Sequence, residues 1–168
     1  MELITHSLTG VIIQILCFKF LLFPINLILT MVFAFFSHFV IDTLAKMTYH
    51  TPESRKEDKF WLIWHITILI ASALVIILFI IPFWLGILFA NLVDIWDWLI
   101  LRTIRNRKRK KNPESNWAKI NNYFVHNIID WIREKPFFWL PNLNYKKYGI
   151  IVEIIFIVFL SILIWIFL

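Results

Sequence analysis

Residues 60–101 read FWLIWHITILIASALVIILFIIPFWLGILFANLVDIWDWLIL, and between His65 and Asp94 they hold no ionisable side chain. A helix crosses the hydrocarbon of a bilayer in about 20 apolar residues, so this stretch is long enough to cross twice. Pro82 stands near its middle, where a missing N–H and a bulky ring interrupt the helical ladder. The expectation is a hairpin of two spans, from about Phe60 to Ile81 and from about Phe83 to Leu101.

The flanking sequence repeats the pattern. An apolar run from about Leu3 to Phe23 breaks at Pro24, and a second from about Ile25 to Met47 ends in the polar segment Thr48 to Lys59. Beyond the central hairpin lies the basic run Arg102 to Lys111, then a mixed segment from Trp117 to Glu134. There Ile120, Phe124, Ile128 and Trp131 recur at helical spacing, whereas Lys119, Asn122 and Arg133 break the apolarity, as in an amphipathic helix at a membrane surface. Pro136 and Pro141 bracket an aromatic loop, and Lys146-Lys147 introduces a last apolar run to Leu168. The fold class expected is all-α: a polytopic membrane helix bundle of about five transmembrane helices plus one interfacial amphipathic helix, a single domain over residues 1–168.

Composition points the same way. The chain is 60% hydrophobic, with mean hydropathy +0.75 and three Gly in 168 residues, more apolar surface than a water-soluble core of this size can hide. Cys17 is the single cysteine, which excludes an internal disulfide and a cysteine-based zinc site. The start Met-Glu-Leu-Ile-Thr-His lacks the basic region of a cleaved signal, so the first run is expected to stay as a span. Lys and Arg crowd the Arg102–Lys111 segment and recur at Arg55, Lys56 and Lys59, whereas the two proline tips have only Lys19 nearby. The positive-inside rule therefore puts the N-terminus and the basic loops on the cytoplasmic side of the cytoplasmic membrane and the C-terminus outside.

That topology gathers the imidazoles and carboxylates in one layer. His6 opens the first span, His38 and Asp42 close the second, His65 starts the third, Asp94 and Asp97 end the fourth, and His126 and Asp130 follow. Such side chains are costly in hydrocarbon without a partner or an ion, and they are the usual ligands of catalytic zinc, manganese or iron. His38 and Asp42 are four apart, so one helix face presents both; His126 and Asp130 repeat the spacing, and Asp94 and Asp97, three apart, share a face with Asn91. The metal ligands expected are His6, His38, Asp42, His65, Asp94 and His126, around one or more divalent ions, zinc foremost, with manganese or iron as alternatives. His50 reads as a loop residue, and Glu153 either joins the site or pairs with a nearby Lys or Arg.

Thr5-His6-Ser7-Leu8 and Ser37-His38-Phe39-Val40-Ile41-Asp42 resemble the Thr-His-Ser-Leu and Ser-His-x-x-x-Asp motifs of the YdjM-like membrane-bound metal-dependent hydrolases. Leu92-Val93-Asp94-Ile95-Trp96-Asp97 matches that family's Pro-Asp-x-Asp-His element only in part, lacking the Pro and the following His. The family is distantly similar to zinc-dependent phospholipase C and the zinc single-strand nucleases. The resemblance covers roughly the first hundred residues and implies metal-dependent hydrolysis of a phosphoester.

On this reading the metal activates water and polarises a phosphoryl oxygen, and Asp97 or Asp130 takes the proton. Membrane lipids are the expected partners and a phospholipid or other phosphoester the substrate, its phosphate drawn by Arg102, Arg105 and Lys108. Sequence-specific nucleic-acid binding is disfavoured, because the basic run has neither interleaved aromatics nor a folded reading element. Two other readings compete: a metal or proton transporter, since intramembrane His and Asp also line ion pathways, and a non-catalytic scaffold whose polar layer only joins helices.

Overall fold

The computed structural model describes residues 2–49, 51, 57–111 and 124–168. Among these there is no strand. Helix α1 spans Leu3–Phe20, α2 Ile25–Leu44 with a 3-10 turn at Ala45–Met47, and α3 Lys59–Ala90. Then come α4 (Leu92–Asp94), a π-helical run Ile95–Leu101, α5 (Arg102–Lys111), α6 (Phe124–Glu134) and α7 (Gly149–Phe167). Among the described residues, four helices suit a membrane crossing by length and composition: α1, α2 with its 3-10 turn, α3 and α7.

Helix α1 is the centre of the bundle. It packs against α2, α3 and α7, and its Ile4, Leu8, Val11, Ile12 and Ile15 form a core with Ile68, Ile87, Leu160 and Ile164. The more apolar α3 and α7 are mostly exposed, with Leu62, Ile63, Leu69, Ile77, Leu78 and Trp165 on the outside. In water so much apolar surface would aggregate; as a lipid-facing surface it needs no cover.

The chain bends at the expected joint, beside Pro82. The stretch Lys59–Ala90 is two helical arms across a kink: Phe83, directly after Pro82, leaves the helical region (φ −125°, ψ 28°). The chain folds back there. Gly86 packs on Gly10 and Asn91 reaches Ser7, so residues 82–91 descend along the ascending α1. Trp61, His65 and Asp94 also line one cavity, whereas a straight helix would part Trp61 from Asp94 by about 50 Å.

Gln14 of α1 makes this joint tolerable. Its side-chain NH2 donates to the Pro82 carbonyl (3.2 Å) and its Oε1 accepts from the Gly86 N–H (2.8 Å), the two groups that an undisturbed helix pairs with each other. In hydrocarbon there is no water to satisfy them, so a side chain from the next helix does so. Helices α1 and α3 must touch for this to work, and glycine permits it: a Cβ on Gly10 would lie 2.3 Å from the Gly86 carbonyl oxygen.

The start of α3 is capped by Asp58, which accepts from the N–H groups of Phe60 and Trp61. The basic run is helical as α5, and the expected amphipathic helix appears from Phe124; its Trp117–Tyr123 part lies outside the described residues, as do His50, Arg55 and Lys56. On α6, Ile128 and Trp131 are exposed whereas Ile129 is fully buried, so this helix turns part of its apolar stripe away from the bundle.

Candidate metal centre

The lower ends of α2, α3 and α4, together with α6, bring His38, Asp42, Asp94 and His126 together, one ligand atom from each lying within 4.8 Å of the others. His38 Nε2 is 3.2 Å from Asp42 Oδ2 and 3.8 Å from Asp94 Oδ1; His126 Nε2 is 3.6 Å and 3.3 Å from the same two oxygens. A tetrahedral ion with bonds of about 2.0–2.2 Å has ligands about 3.3–3.6 Å apart. The spacing suits one ion.

Both imidazoles are fixed from behind. His38 Nδ1 donates to the Ala90 carbonyl at 2.8 Å, and His126 Nδ1 to Asp97 Oδ2 at 2.7 Å. With Nδ1 committed as the donor, a neutral ring turns an Nε2 lone pair toward the cluster, the arrangement that sets metal-binding histidines. For His38 that nitrogen is buried without a hydrogen-bond partner, facing a carboxylate oxygen. A lone pair opposed to an anion is unfavourable unless a cation sits between them. At His126, Trp98 Nε1 also approaches Nε2, at 3.4 Å.

His126 lies on α6, outside the apolar spans. Burial works against the charged ring, but the hydrogen bonds to Asp94 and Asp97 and the Asp42 charge outweigh it and push its pKa up to about 9.

The π-helical run serves this arrangement. Its wider turn carries Asp97, fully buried, against both the main-chain N–H (3.3 Å) and the ring of His126. Asp97 stands behind the imidazole and does not line the cavity, whereas Asp130, half-exposed and 3.4 Å from Arg133, does.

Two of the six expected ligands lie outside the four-donor group. His6, fully buried and stacked on His38 at 4.1 Å, donates through Nε2 to Asp42 Oδ1 (3.0 Å), so it holds the far oxygen of a carboxylate whose other oxygen joins the cluster. His65 stacks on Trp61 and donates to that residue's carbonyl, on the aromatic wall of the cavity. Glu153 is also apart, accepting from the Glu2 N–H and the Thr5 hydroxyl.

A cavity of about 930 Å³ opens beside the cluster, lined among others by Asp42, Asp94, His126, Arg102, Arg105 and Arg133. Lys108 faces elsewhere, among the basic side chains of α5. In the sequence Arg133 figures only as a break in the apolar stripe of the amphipathic segment; in the structure its Nη1 faces Asp130 at 3.4 Å. Here its Nη2 also donates to the Asp42 carbonyl at 3.0 Å. The seven-residue spacing from His126, two helical turns on one face, was the available signal.

No known protein family, no curated protein and no solved structure matches this chain.

Proposed function

We propose that this chain is a membrane-embedded, metal-dependent phosphoester hydrolase of the YdjM-like kind, acting on lipid headgroups from a site at the cytoplasmic interface. The observation that carries this reading is the convergence of His38, Asp42, Asp94 and His126, with each imidazole tied through Nδ1. Zinc suits the two-imidazole, two-carboxylate set. Such an ion lowers the pKa of water and polarises a phosphoryl oxygen.

The protein's own groups supply the rest. Hydrolysis adds the water oxygen to phosphorus, breaks the P–O bond to the alcohol, and moves a proton from water to the leaving oxygen. Asp130, at the cavity wall, is placed to carry that proton; Asp97, sealed behind His126, orients the ring instead. Counting the two arms of α3 separately, with the descending arm running on to Leu101, gives five crossings. Exposed Trp96, Trp98, Trp131 and Trp139 stand at the cavity's end of the bundle, in keeping with headgroup depth.

A transporter needs polar groups through the whole bilayer. Here the hydroxyls of Thr30 and Ser72 are spent on their own helices and Gln14 on the α3 joint. The test is turnover: a chelator should abolish hydrolysis of a phosphoester by the purified protein, and zinc or manganese should restore it. If metal-replete protein hydrolyses no phosphoester while proteoliposomes carry divalent ions across, transport replaces hydrolysis. Cysteine labelling that put the Arg102–Lys111 and Glu57–Lys59 segments on opposite sides would end the topology.

A further inference from the structure

Helix α6 presents a cation beside the cluster as well as a ligand. His126 and Arg133 are seven residues apart, two turns along one stripe, and both reach Asp42: the imidazole its carboxylate (3.6 Å), the guanidinium its main-chain carbonyl (3.0 Å). Arg133 is anchored without being used up. Of its five N–H donors one is given to that carbonyl and Nη1 faces Asp130 at 3.4 Å, whereas Nε is buried with no partner.

A guanidinium at this place is wrong for a site whose final ligand is a cation, because the two charges repel. It is right for an anion shared between them. A divalent ion would absorb the charges of Asp42 and Asp94, leaving Glu2 and Asp130 at the cavity wall against Arg102, Arg105 and Arg133, so the loaded cavity would be net positive. Among anions, phosphate offers several oxygens on one tetrahedral centre: one can meet the cluster while a second accepts from the planar fork of an arginine.

We propose that Arg133 holds the substrate's phosphoryl group against the His38–Asp42–Asp94–His126 cluster, making the site selective for phosphate-bearing anions. This rests on the metal-site reading above. A purely structural role for Arg133 also exists, since the Asp42 carbonyl lies in the last turn of α2, where a cation caps the helix. The experiment must separate the two.

Zinc-loaded wild type, Arg133→Gln and Arg133→Lys are compared for zinc content, for affinity toward inorganic phosphate by calorimetry, and for hydrolysis of a short-chain soluble phosphodiester and of phosphatidylglycerol in mixed vesicles. The expected result is unchanged zinc content in all three, with phosphate binding weakened roughly ten- to a hundredfold in the Gln variant, the worth of one hydrogen bond to a charged group. The Lys variant, which keeps the charge and can still donate to the Asp42 carbonyl, should recover part of the loss and covers the case in which Gln fails to fold. Both esters should lose with the Gln variant if phosphate is what Arg133 holds; a loss confined to vesicles would place Arg133 at the lipid surface and overturn the assignment.

Equal phosphate affinity in wild type and both variants, or zinc lost along with phosphate, also overturns it. Hydrolysis by wild type with an indifferent Arg133 leaves the hydrolase reading standing and sinks only this one. Phosphate binding that depends on Arg133 without any hydrolysis does the reverse.

Discussion

Asp97 is the residue whose replacement separates orientation from proton transfer. Its Oδ2 accepts two hydrogen bonds from His126, from the ring Nδ1 at 2.7 Å and from the main-chain N–H at 3.3 Å, and it is wholly buried. Asp97→Asn keeps the shape and one acceptor oxygen but removes the charge. A hydrogen bond to a charged group contributes about 1.5–3 kcal/mol and a neutral one about 0.5–1.5, so the loss is on the order of 1–1.5 kcal/mol. That corresponds to roughly tenfold in metal affinity. Asp97→Ala leaves both donors unpaired and should reach the upper end of the ten- to hundredfold range found for groups that orient metal-bound histidines. The assay is chelator competition for zinc on purified protein in detergent, with helicity and elution volume as checks on the fold. An Asn variant that binds zinc within twofold of wild type, while His126→Ala loses it, would refute the orienting role. A rate lowered at saturating zinc with unchanged affinity would move Asp97 into the proton path.

Three further outcomes follow from the geometry. His38→Ala and Asp42→Ala should strip the metal from the purified protein, whereas His65→Ala, bonded to Trp61 instead of the cluster, should retain it by elemental analysis. Metal affinity should rise with pH toward about 9, because an incoming ion displaces the Nε2 proton of His126 that faces Asp94; calorimetry in buffers of different ionisation enthalpy should register proton release at neutral pH, and a flat profile would contradict it. Gly86→Ala sets a Cβ 2.0 Å from the Gly10 carbonyl oxygen, so α1 and α3 must separate; a cost of about 1–3 kcal/mol is expected, read as a lower unfolding midpoint in detergent.

The helical elements were legible because hydrophobic length is a local property: runs bounded by Pro24, Pro82 and Lys146-Lys147 can be read one at a time. His38 and Asp42 were legible for the same reason, four residues apart on one turn. The differences arise where distant parts of the chain meet. How the broken helical bond at Pro82 is satisfied depends on Gln14, which belongs to another helix and has no marker in the sequence around the proline. His6 reads as a ligand from its position, yet its stacking on His38 turns it to the outer oxygen of Asp42. Asp97 and Asp94 look alike three residues apart; the π-helical run that begins at Ile95 separates them, leaving Asp94 in the cluster and Asp97 at the back of an imidazole.

The four donors are distributed unevenly along the chain, with His38, Asp42 and Asp94 in its first hundred residues and His126 on α6. As the polypeptide is made, three of them can be in place before the fourth has left the ribosome, and until α6 settles through Ile129 and Arg133 the coordination shell has an open side. An ion that requires all four is captured only by a finished bundle. A metal that needed all four donors would therefore load after α6 has docked, the opposite order from small domains that cannot fold until their zinc arrives.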